Sequence, residues 1–359
     1  MSEYCRQTVC SIASPDLLAW VILEGSPEQR EAALATLAAS ASMRTQRAIY
    51  GQLRRDFGVN ISQLAGLDVT AERRQTVYDN QNQGRFNLPG QRARGEGEDP
   101  VDDPAVNEAY DGSATTHEFY RDVHERDSLD GAGMELVSSV HYGVSFDNAF
   151  WNGAQMVYGD GSGRLFQVGA LTGSLDVMAH ELTHGVTEFT AGLAYSKQSG
   201  ALNEHFSDVF GSLVKQYHLE QSADEADWLI GEGTLVPELG VALRSMSQPG
   251  TAFQGDRQPG HMDDYVDLPD DNNPRNDNGG VHINSGIPNR AFYLLATALG
   301  GKAWETAGHI WYTTLTERLG RETQFTEAAQ ETVSVAGELY GSTEQSAVET
   351  AWQEVGVLP

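Results

Sequence analysis

The spacing of apolar residues divides the chain into a short helical unit, a strand-rich part and a helical part. Residues 1–68 contain apolar and alanine-rich runs at helical spacing, with few large apolar side chains. Residues 69–188 carry short runs that alternate apolar and polar positions between turn residues, as strands do. Residues 189–359 return to helical spacing. This order predicts an α+β fold, in which a small helical unit precedes a β-rich domain and a mainly helical domain.

Turn and capping signals give approximate bounds for the predicted elements. Ser26 before Pro27 indicates a helix start, because serine at the N-cap and proline at the first helical position are both favoured. A loop rich in Gly, Pro and Asp is predicted over 231–280, and a turn-rich stretch over 86–104. The first predicted helix begins near residue 14. The other predicted helices cover 26–43, 45–57, 108–126, 175–189, 201–219, 289–299, 302–319, 326–340 and 343–355. The predicted strands cover 73–80, 134–142 and 155–158.

The predicted helix 175–189 combines an apolar stripe with two histidines and a glutamate. His180 and His184 are four residues apart, so both imidazoles lie on one helix face and can bind one divalent metal ion. Glu181 is adjacent and can address a bound water without being a ligand itself. A surface helix with a histidine pair and a solvated acid is the alternative, which the apolar stripe disfavours.

Glu204, on the next predicted helix, can supply a third metal ligand. Three protein ligands leave a zinc ion one position for water, which is the catalytic pattern, and Glu181 then serves as general base. Asp208, one turn beyond Glu204, can accept an imidazole N–H from a histidine ligand and fix its tautomer, and Asn203 can do likewise. A buried carboxylate pair without metal is the alternative for Glu204 and Asp208.

A glycine-rich cluster over 276–286 contains a second histidine of interest. Its glycines let the backbone approach closely, and Asp277, five residues earlier, can orient His282 toward a developing oxyanion. A structural histidine with satisfied hydrogen bonds is the alternative for His282 taken alone, but the metal motif elsewhere in the chain favours the functional interpretation.

The net charge of the chain disfavours two classes of binding partner. The 359-residue chain has a formal net charge of −28, so it should repel nucleic acid and anionic membranes. Lysine occupies only three of its 23 basic positions. A salt-loving source and an ordinary acidic surface from a GC-rich genome both explain this composition, and the choice stays open.

The start of the chain predicts no secretory signal, because it lacks a basic region and a cleavage site around its short apolar run. No apolar run reaches the ~18 residues of a membrane span. We therefore expect a protein that is cytoplasmic or exported by a non-classical route. The two cysteines, Cys5 and Cys10, exclude a disulfide framework, and Cys10 is either an ordinary N-terminal cysteine or a latent-form metal ligand.

Five segments resemble the thermolysin-like neutral metallopeptidases, and the resemblance covers nearly all of the chain after about residue 70. The segments are 147–161, 176–188, 199–208, 243–249 and 277–289. The resemblance implies a two-domain zinc endopeptidase with the zinc helix between its domains. It also implies cleavage of a peptide or protein substrate on the amino side of bulky apolar residues.

The same resemblance implies roles for individual residues. His180, His184 and Glu204 bind zinc, and Glu181 is the general base. Two groups stabilise the tetrahedral intermediate, Tyr195 and His282, and Asp277 orients His282. Three residues hold the substrate backbone: Asn148, Ala149 and Arg244. Four residues are candidates for the apolar substrate pocket: Phe166, Val177, Ile230 and Leu243. Ordinary core packing is the alternative for three of these four: Phe166, Ile230 and Leu243.

The N-terminal unit, residues 1–68, resembles the short propeptide of the protealysin subgroup. That subgroup tends to show paired prolines where this chain has Ser14 and Pro15. The resemblance implies a zymogen whose own propeptide inhibits it, since tethering raises the local concentration of an inhibitor to ~mM. We expect the protein to be a monomer.

Lys215 stands where secreted members of the family place a glutamate that bridges two calcium ions. Asp176, Asp227 and Glu232 remain near the expected place, so the hypothesis is that the Lys215 ammonium replaces the calcium charge and that the main double calcium site is lost. An exposed lysine near unrelated acids is the alternative. Two other functions compete with the endopeptidase: an inactive scaffold of the same fold and a zinc aminopeptidase.

Overall fold

The computed structural model describes residues 10–40, 74–271 and 273–359. A mixed sheet and the helices that cover it form the first part, and helices dominate the second. The predicted helix 45–57, Cys5 and the predicted domain boundary after residue 68 lie outside the described residues, so these remain predictions. No helix in the described ranges is long and apolar enough to cross a membrane.

Within the described ranges the sheet has six strands: β1 (Cys10–Ser11), β2 (Gln75–Asp79), β3 (Gln91–Gly95), β4 (Leu136–Val140), β5 (Ala149–Trp151) and β6 (Met156–Tyr158). Their order across the sheet is β1-β5-β6-β4-β2-β3. β4 is parallel to both of its neighbours, and the other pairs are antiparallel. β5 would form an edge of the sheet if the two residues of β1 did not cover it.

Several strands were not predicted from the sequence, and β3 and β1 show why. β3 lies inside the stretch predicted as turn-rich, over 86–104. Among the residues that the structure describes it pairs only with β2, and its first residues are exposed, so no apolar alternation marks it in the sequence. β1 consists of two residues that pair with Phe150 and Trp151, about 140 positions later. A pairing of that range has no local signal in the sequence.

The described helices are α1 (Pro15–Glu24), α2 (27–40), α3 (Pro104–His124), α4 (Ala170–Gly173), α5 (Leu175–Phe189), α6 (Lys197–His218), α7 (Asp277–Asn284), α8 (Gly286–Leu299), α9 (Thr306–Glu317), α10 (Phe325–Leu339) and α11 (Ser342–Glu354). α3 begins four residues before its predicted start, because Asp103 accepts a hydrogen bond from the Ala105 amide and Pro104 occupies the first position. A short second sheet pairs β7 (Leu229–Ile230) with β8 (Arg244–Ser245).

Helices α5 and α6 pack closely at the centre of the molecule. A Cβ atom at Gly211 of α6 would lie 2.6 Å from the carbonyl oxygen of Asp176 on α5, so only glycine permits this approach. The close approach places the side chains of α6 directly against the histidines of α5. The predicted stripe of α5 is confirmed as buried, since Val177, Leu182 and Val186 all lie in the core.

Residues 10–40, called the N-terminal segment below, comprise β1, α1 and α2. The predicted starts of both helices are confirmed: Ser14 Oγ accepts from the Leu17 amide over 3.1 Å, and Ser26 Oγ from the Gln29 amide over 3.3 Å. Ile12, Leu17 and Val21 are buried in the same core as the larger domains. The segment is therefore packed onto the rest of the molecule.

Candidate active site

Helix α5 brings His180, Glu181 and His184 into the interior, where all three side chains are almost completely buried. Because four residues span slightly more than one turn, both imidazoles lie on one face of the helix. Their Nε2 atoms are 3.1 Å apart. Two ring nitrogens at this separation converge on one point and suit a single metal ion.

Glu204 of α6 completes a group of three metal-binding side chains. Its Oε2 lies 3.5 Å from His180 Nε2, and its Oε1 lies 3.5 Å from His184 Nε2. The candidate ligand atoms of the three residues lie within 4.8 Å of one another. Glu204 Oε2 is buried without a hydrogen-bond donor among the described residues. A buried carboxylate that has one oxygen near each imidazole nitrogen, with Oε2 lacking a donor, fits a zinc ion, which favours these ligand types.

The outer nitrogens of both histidines contact oxygen acceptors. His180 Nδ1 lies 2.9 Å from Asp208 Oδ1, and His184 Nδ1 lies 2.7 Å from Asn203 Oδ1. A proton on each Nδ1 leaves the lone pair of each Nε2 for a metal. Burial raises the pKa of the Asp208 carboxyl, but Arg244 and His180 outweigh burial and hold this pKa well below its usual range. Asp208 is therefore ionised.

Glu181 reaches from α5 to the strand on the other side of the cleft. Its Oε2 accepts a hydrogen bond from the Trp151 amide over 3.0 Å. Trp151 belongs to β5, the strand that also carries Ala149 and follows Asn148. The contact holds the carboxylate beside the group of metal-binding side chains and next to the backbone of the cleft.

Tyr195 and His282 face Glu204 from the helical side. The Tyr195 hydroxyl donates a short hydrogen bond to Glu204 Oε1 and lies 3.2 Å from His282 Nε2. His282 Nδ1 lies 2.7 Å from Asp277 Oδ1. Burial lowers the pKa of His282, but the charges of Asp277 and Glu204 outweigh burial and raise it to about 9. A protonated His282 can donate a hydrogen bond from Nε2.

The backbone between Asp277 and His282 explains how these side chains meet. Asn278, Gly279 and Gly280 all adopt left-handed φ angles, between 52° and 87°. This turn folds Asp277 back, so that its Oδ2 also accepts from the His282 amide over 2.7 Å. A Cβ at Gly279 would lie 2.6 Å from Lys197 Cγ, which together with the positive φ requires glycine at this position.

Arg244 of β8 lies at the same cleft, but most of its hydrogen bonds go to Asp208. Its Nε and Nη2 atoms donate to the Asp208 carboxylate over 2.8 to 3.0 Å, and the side chain is only 4% exposed. Two of its three guanidinium nitrogens thus bind a protein carboxylate. Of the three guanidinium nitrogens, Nη1 is the one that can make the substrate contact expected of Arg244.

The N-terminal segment occupies the cleft. The Ile12 amide donates to the Ala149 carbonyl over 3.2 Å, and the Ala13 amide donates to Asn148 Oδ1 over 2.9 Å. Asn148 Nδ2 also donates to Ser40 Oγ, at 3.1 Å. Two of the three residues expected to hold a substrate backbone, Asn148 and Ala149, therefore hold the backbone of the chain's own N-terminal segment.

The four residues expected in the apolar pocket are all buried, with exposures from 0% to 3%. Leu243 borders a cavity of only about 20 Å³ between the N-terminal segment and the cleft, next to Leu17 and His282. Phe166 pairs with Leu235 in an isolated bridge, and Ile230 pairs with Arg244 across the small sheet. A cavity of this size holds one water at most, so the segment fills the cleft.

Lys215 of α6 lies among three carboxylates. Its Nζ is 2.7 Å from Asp227, 3.5 Å from Asp176 and 4.0 Å from Glu232. Burial lowers the pKa of the Lys215 ammonium, but Asp176 and Asp227 outweigh burial and raise it. The ammonium therefore stays charged and neutralises part of this acidic group.

Two contacts at the cleft were not predicted from the sequence. Gln258 Nε2 donates to the His282 carbonyl over 2.6 Å, which supports the turn that carries His282. Arg257 forms an ion pair with Asp16 of the N-terminal segment. Both lie in the long loop predicted over 231–280, where no periodicity or motif distinguishes one polar residue from the next.

A buried histidine pair, a carboxylate from a neighbouring helix and an adjacent glutamate together define a metallopeptidase. Comparison with known proteins identifies its family: the model of the thermolysin metallopeptidase catalytic domain matches residues 47–188, and that of the thermolysin metallopeptidase alpha-helical domain matches residues 191–357. The chain belongs to the thermolysin metallopeptidase family. The resemblance and the fold class predicted from the sequence are both confirmed, and the chain is a zinc metalloendopeptidase.

Similar proteins cover almost the whole chain. An extracellular metalloprotease of Pectobacterium carotovorum subsp. carotovorum is 46% identical over 97% of this chain and 96% of its own length. Protease PrtS of a Photorhabdus species is 49% identical over 79% of this chain and 76% of its own. The solved precursor of protealysin, a metalloproteinase from Serratia proteamaculans, has a TM-score of 0.83 and 46% identity over 97% of this chain and 99% of that one.

Proposed function

We propose that the chain is the zymogen of an endopeptidase that cleaves peptide bonds on the amino side of bulky apolar residues, with Glu181 as general base. One observation carries the proposal: the ligand atoms of His180, His184 and Glu204 converge, while Glu181 on the same helix contacts β5 of the cleft. A binding protein has no use for a carboxylate held in this position.

Each residue of the site has a separate role in peptide hydrolysis. Zinc, when bound by the two histidines and Glu204, supplies a Lewis acid that activates water and polarises a carbonyl group. Glu181 takes the proton of the attacking water and returns it to the leaving amine. Tyr195 and His282 donate hydrogen bonds to the carbonyl oxygen as negative charge develops on it. Asp277 keeps the His282 ring oriented for this donation.

The cleft binds substrate through a side-chain and a backbone oxygen on one side and an apolar pocket on the other. Asn148 and Ala149 supply acceptors for substrate amides, as they do for Ala13 and Ile12. Arg244 contributes its remaining guanidinium nitrogen to a substrate carbonyl. Leu243 lines the pocket, and Phe166, Val177 and Ile230 form its buried support.

The N-terminal segment acts as the intramolecular inhibitor. It contributes two amides and the side chain of Leu17 to the cleft, and its Asp16 pairs with Arg257 outside the metal group. The match over almost the full length of the protealysin precursor supports this role. Activation therefore requires that the segment leaves the cleft, either by cleavage or by dissociation.

The Lys215 ammonium takes the place of calcium charge among Asp176, Asp227 and Glu232. A double calcium site is not needed where a protein cation already lies within 4.0 Å of all three carboxylates. The enzyme works outside the cell, a proposal that rests on the extracellular relative rather than on the start of the sequence. It works as a monomer.

Cleavage of a peptide panel tests the function. Peptides with a single Ala–Leu, Ala–Phe, Ala–Asp or Ala–Gly bond, each prepared both with blocked ends and with a free amino terminus, are incubated with matured enzyme, and products are identified by mass. The proposal predicts cleavage before Leu and Phe only. Cleavage that requires a free amino terminus would support an aminopeptidase, and a matured, zinc-loaded chain that cleaves nothing would support an inactive scaffold.

A further inference from the structure

A line of buried hydrogen bonds connects the helical core to the carboxylate behind His180. It starts at Trp311 of α9, whose indole Nε1 donates to His205 Nε2 over 2.7 Å. Both side chains are completely buried. An indole nitrogen can only donate, so His205 Nε2 must act as acceptor and cannot carry a proton.

The direction of this first bond determines the rest of the line. Because Nε2 carries no proton, the neutral His205 ring is protonated at Nδ1, which lies 2.8 Å from Asn289 Oδ1 and donates to it. The amide group of Asn289 is therefore oriented with its nitrogen on the other side. That nitrogen, Nδ2, donates to Asp208 Oδ2 over 2.8 Å.

The reverse orientation is excluded by chemistry. A flipped Asn289 amide would direct its oxygen at the Asp208 carboxylate, whose oxygens accept from Arg244, and its N–H group at His205. His205 would then have to accept at Nδ1 and donate at Nε2, where the indole N–H of Trp311 already points. Two repulsive contacts in a buried site cost far more than the observed arrangement.

Asp208 accepts hydrogen bonds at the end of this line. Its carboxylate receives Asn289 and Arg244 and lies 2.9 Å from His180 Nδ1. The carboxylate is thereby held in one rotamer, in which its Oδ1 accepts from Arg244 and faces His180 Nδ1. The hydrogen-bond path behind the other histidine, His184, has fewer members. Asn203 faces His184 through Oδ1 and donates from Nδ2 to the Leu193 carbonyl over 3.2 Å.

We propose that Trp311, His205 and Asn289 are positioning residues for the metal centre: they form a one-way hydrogen-bond line that fixes Asp208 and so keeps His180 Nε2 unprotonated and directed at the metal. This inference rests on the proposed function, because it takes His180 as a ligand. The line begins about 106 residues from His205 in the sequence, and no motif contains Trp311.

Trp311→Phe tests the line, because it removes the indole N–H group and keeps an aromatic ring. Trp352→Phe is a matched control: Trp352 is equally buried, stacks on Trp311 at 6.0 Å and donates its N–H to Thr332, with no hydrogen bond to His205, Asn289 or Asp208. Both changes are made in the full chain carrying Glu181→Ala, so that no sample processes itself. Zinc loss to excess chelator is followed by an indicator dye, and Tm is measured with and without zinc.

We expect Trp311→Phe to lose zinc about 10-fold faster than the parent, in the range of outer-shell changes at metal sites, and Trp352→Phe to lose zinc at the parent rate. A purely structural role would lower the zinc-free Tm of both variants and leave the zinc-induced rise in Tm unchanged. Equal zinc loss from both variants would overturn the line while leaving the proposed function intact. A parent chain that binds no zinc would overturn the proposed function instead.

A second pair of variants covers the case in which Trp311→Phe does not fold. His205→Gln keeps an acceptor for the indole and a donor for Asn289, whereas His205→Leu removes both. We expect His205→Gln to retain zinc several-fold longer than His205→Leu. Equal retention by the two variants would contradict the proposal.

Discussion

The amide nitrogen of Ala13 donates a hydrogen bond to Asn148 Oδ1 over 2.9 Å, from one end of the chain to the strand at the centre of the cleft. The neighbouring Ile12 amide donates to the Ala149 carbonyl in the same way. An enzyme of this family needs such acceptors for its substrate, so access to the cleft depends on how firmly the N-terminal segment is held.

Arg257→Gln should loosen the N-terminal segment. Asp16 is mostly buried, and burial raises the pKa of its carboxyl although Arg257 opposes the effect. Without Arg257 the carboxylate loses its charged partner, at a cost of about 1 kcal/mol for a half-exposed pair, or about fivefold in occupancy of the cleft. The initial rate of blocked-peptide hydrolysis by unprocessed chain, divided by the rate of the same variant after maturation, should rise about fivefold.

Arg318→Gln provides the control for this change. Arg318 also pairs with a carboxylate, Glu338, but between α9 and α10 and away from the N-terminal segment. Its ratio of unprocessed to matured activity should equal that of the parent. If Arg257→Gln behaves like Arg318→Gln, the ion pair does not hold the segment.

Lys215→Ala should destabilise the protein and create a calcium response. Removal of the ammonium leaves the buried Asp176 without its nearest cation, so we expect a loss of about 1–3 kcal/mol, measured by urea unfolding. Added calcium should restore part of this loss in the variant and have little effect on the parent. Lys197→Ala removes an exposed lysine that lies 3.5 Å from Asp267 and should cost less than about 0.5 kcal/mol. A parent chain that loses its stability in a calcium chelator that spares zinc would contradict the replacement.

His141 should make stability depend on pH above neutrality. Its Nδ1 lies 2.7 Å from Asp160 and its Nε2 lies 2.8 Å from Asp103, the N-cap of α3. The hydrogen bond with Asp160 raises the pKa of His141 to about 9 against the opposing effect of burial, with a further contribution from Asp103.

A histidine whose pKa is higher in the folded state contributes stability that is fully present below about pH 6.5 and is lost as the pH rises through about 9. His141→Asn tolerates the left-handed φ of 54° at this position and removes the titrating group. The Tm advantage of the parent over this variant should shrink by about 2–4 °C between pH 6.5 and 10. A constant difference across this range would show that His141 is not charged in the folded state.

The parts of the site that lie on one helix could be predicted from the sequence, because helical spacing fixes which side chains share a face. His180 and His184 are the clearest case. The prediction that Glu204 joins these histidines required only the assumption that the next helix packs against α5. The acceptors Asp208 and Asn203 follow from the same helix, one turn or less from Glu204.

Contacts between distant segments could not be predicted in this way. The pairing of β1 with β5, the commitment of Arg244 to Asp208 and the ion pair between Arg257 and Asp16 all join residues tens to hundreds of positions apart. Nothing in the local sequence distinguishes Arg257 from Arg275 or Gln258 from Gln254. Their roles depend on the tertiary packing that brings the N-terminal segment and the loop over the cleft together.

Glu181 should act as the base of a zinc peptidase. Zinc content and blocked-peptide hydrolysis, measured on the same matured samples of parent, Glu181→Ala and Glu188→Gln, test this role. For Glu181→Ala, matured by removing the N-terminal segment with an added protease, we expect full zinc content and a loss of at least about 100-fold in kcat. Glu188, two turns along α5 and hydrogen bonded to the Trp151 indole, should tolerate its change with near-parent kcat. If a zinc-loaded Glu181→Ala enzyme hydrolyses the peptide at the parent rate, Glu181 is not the general base.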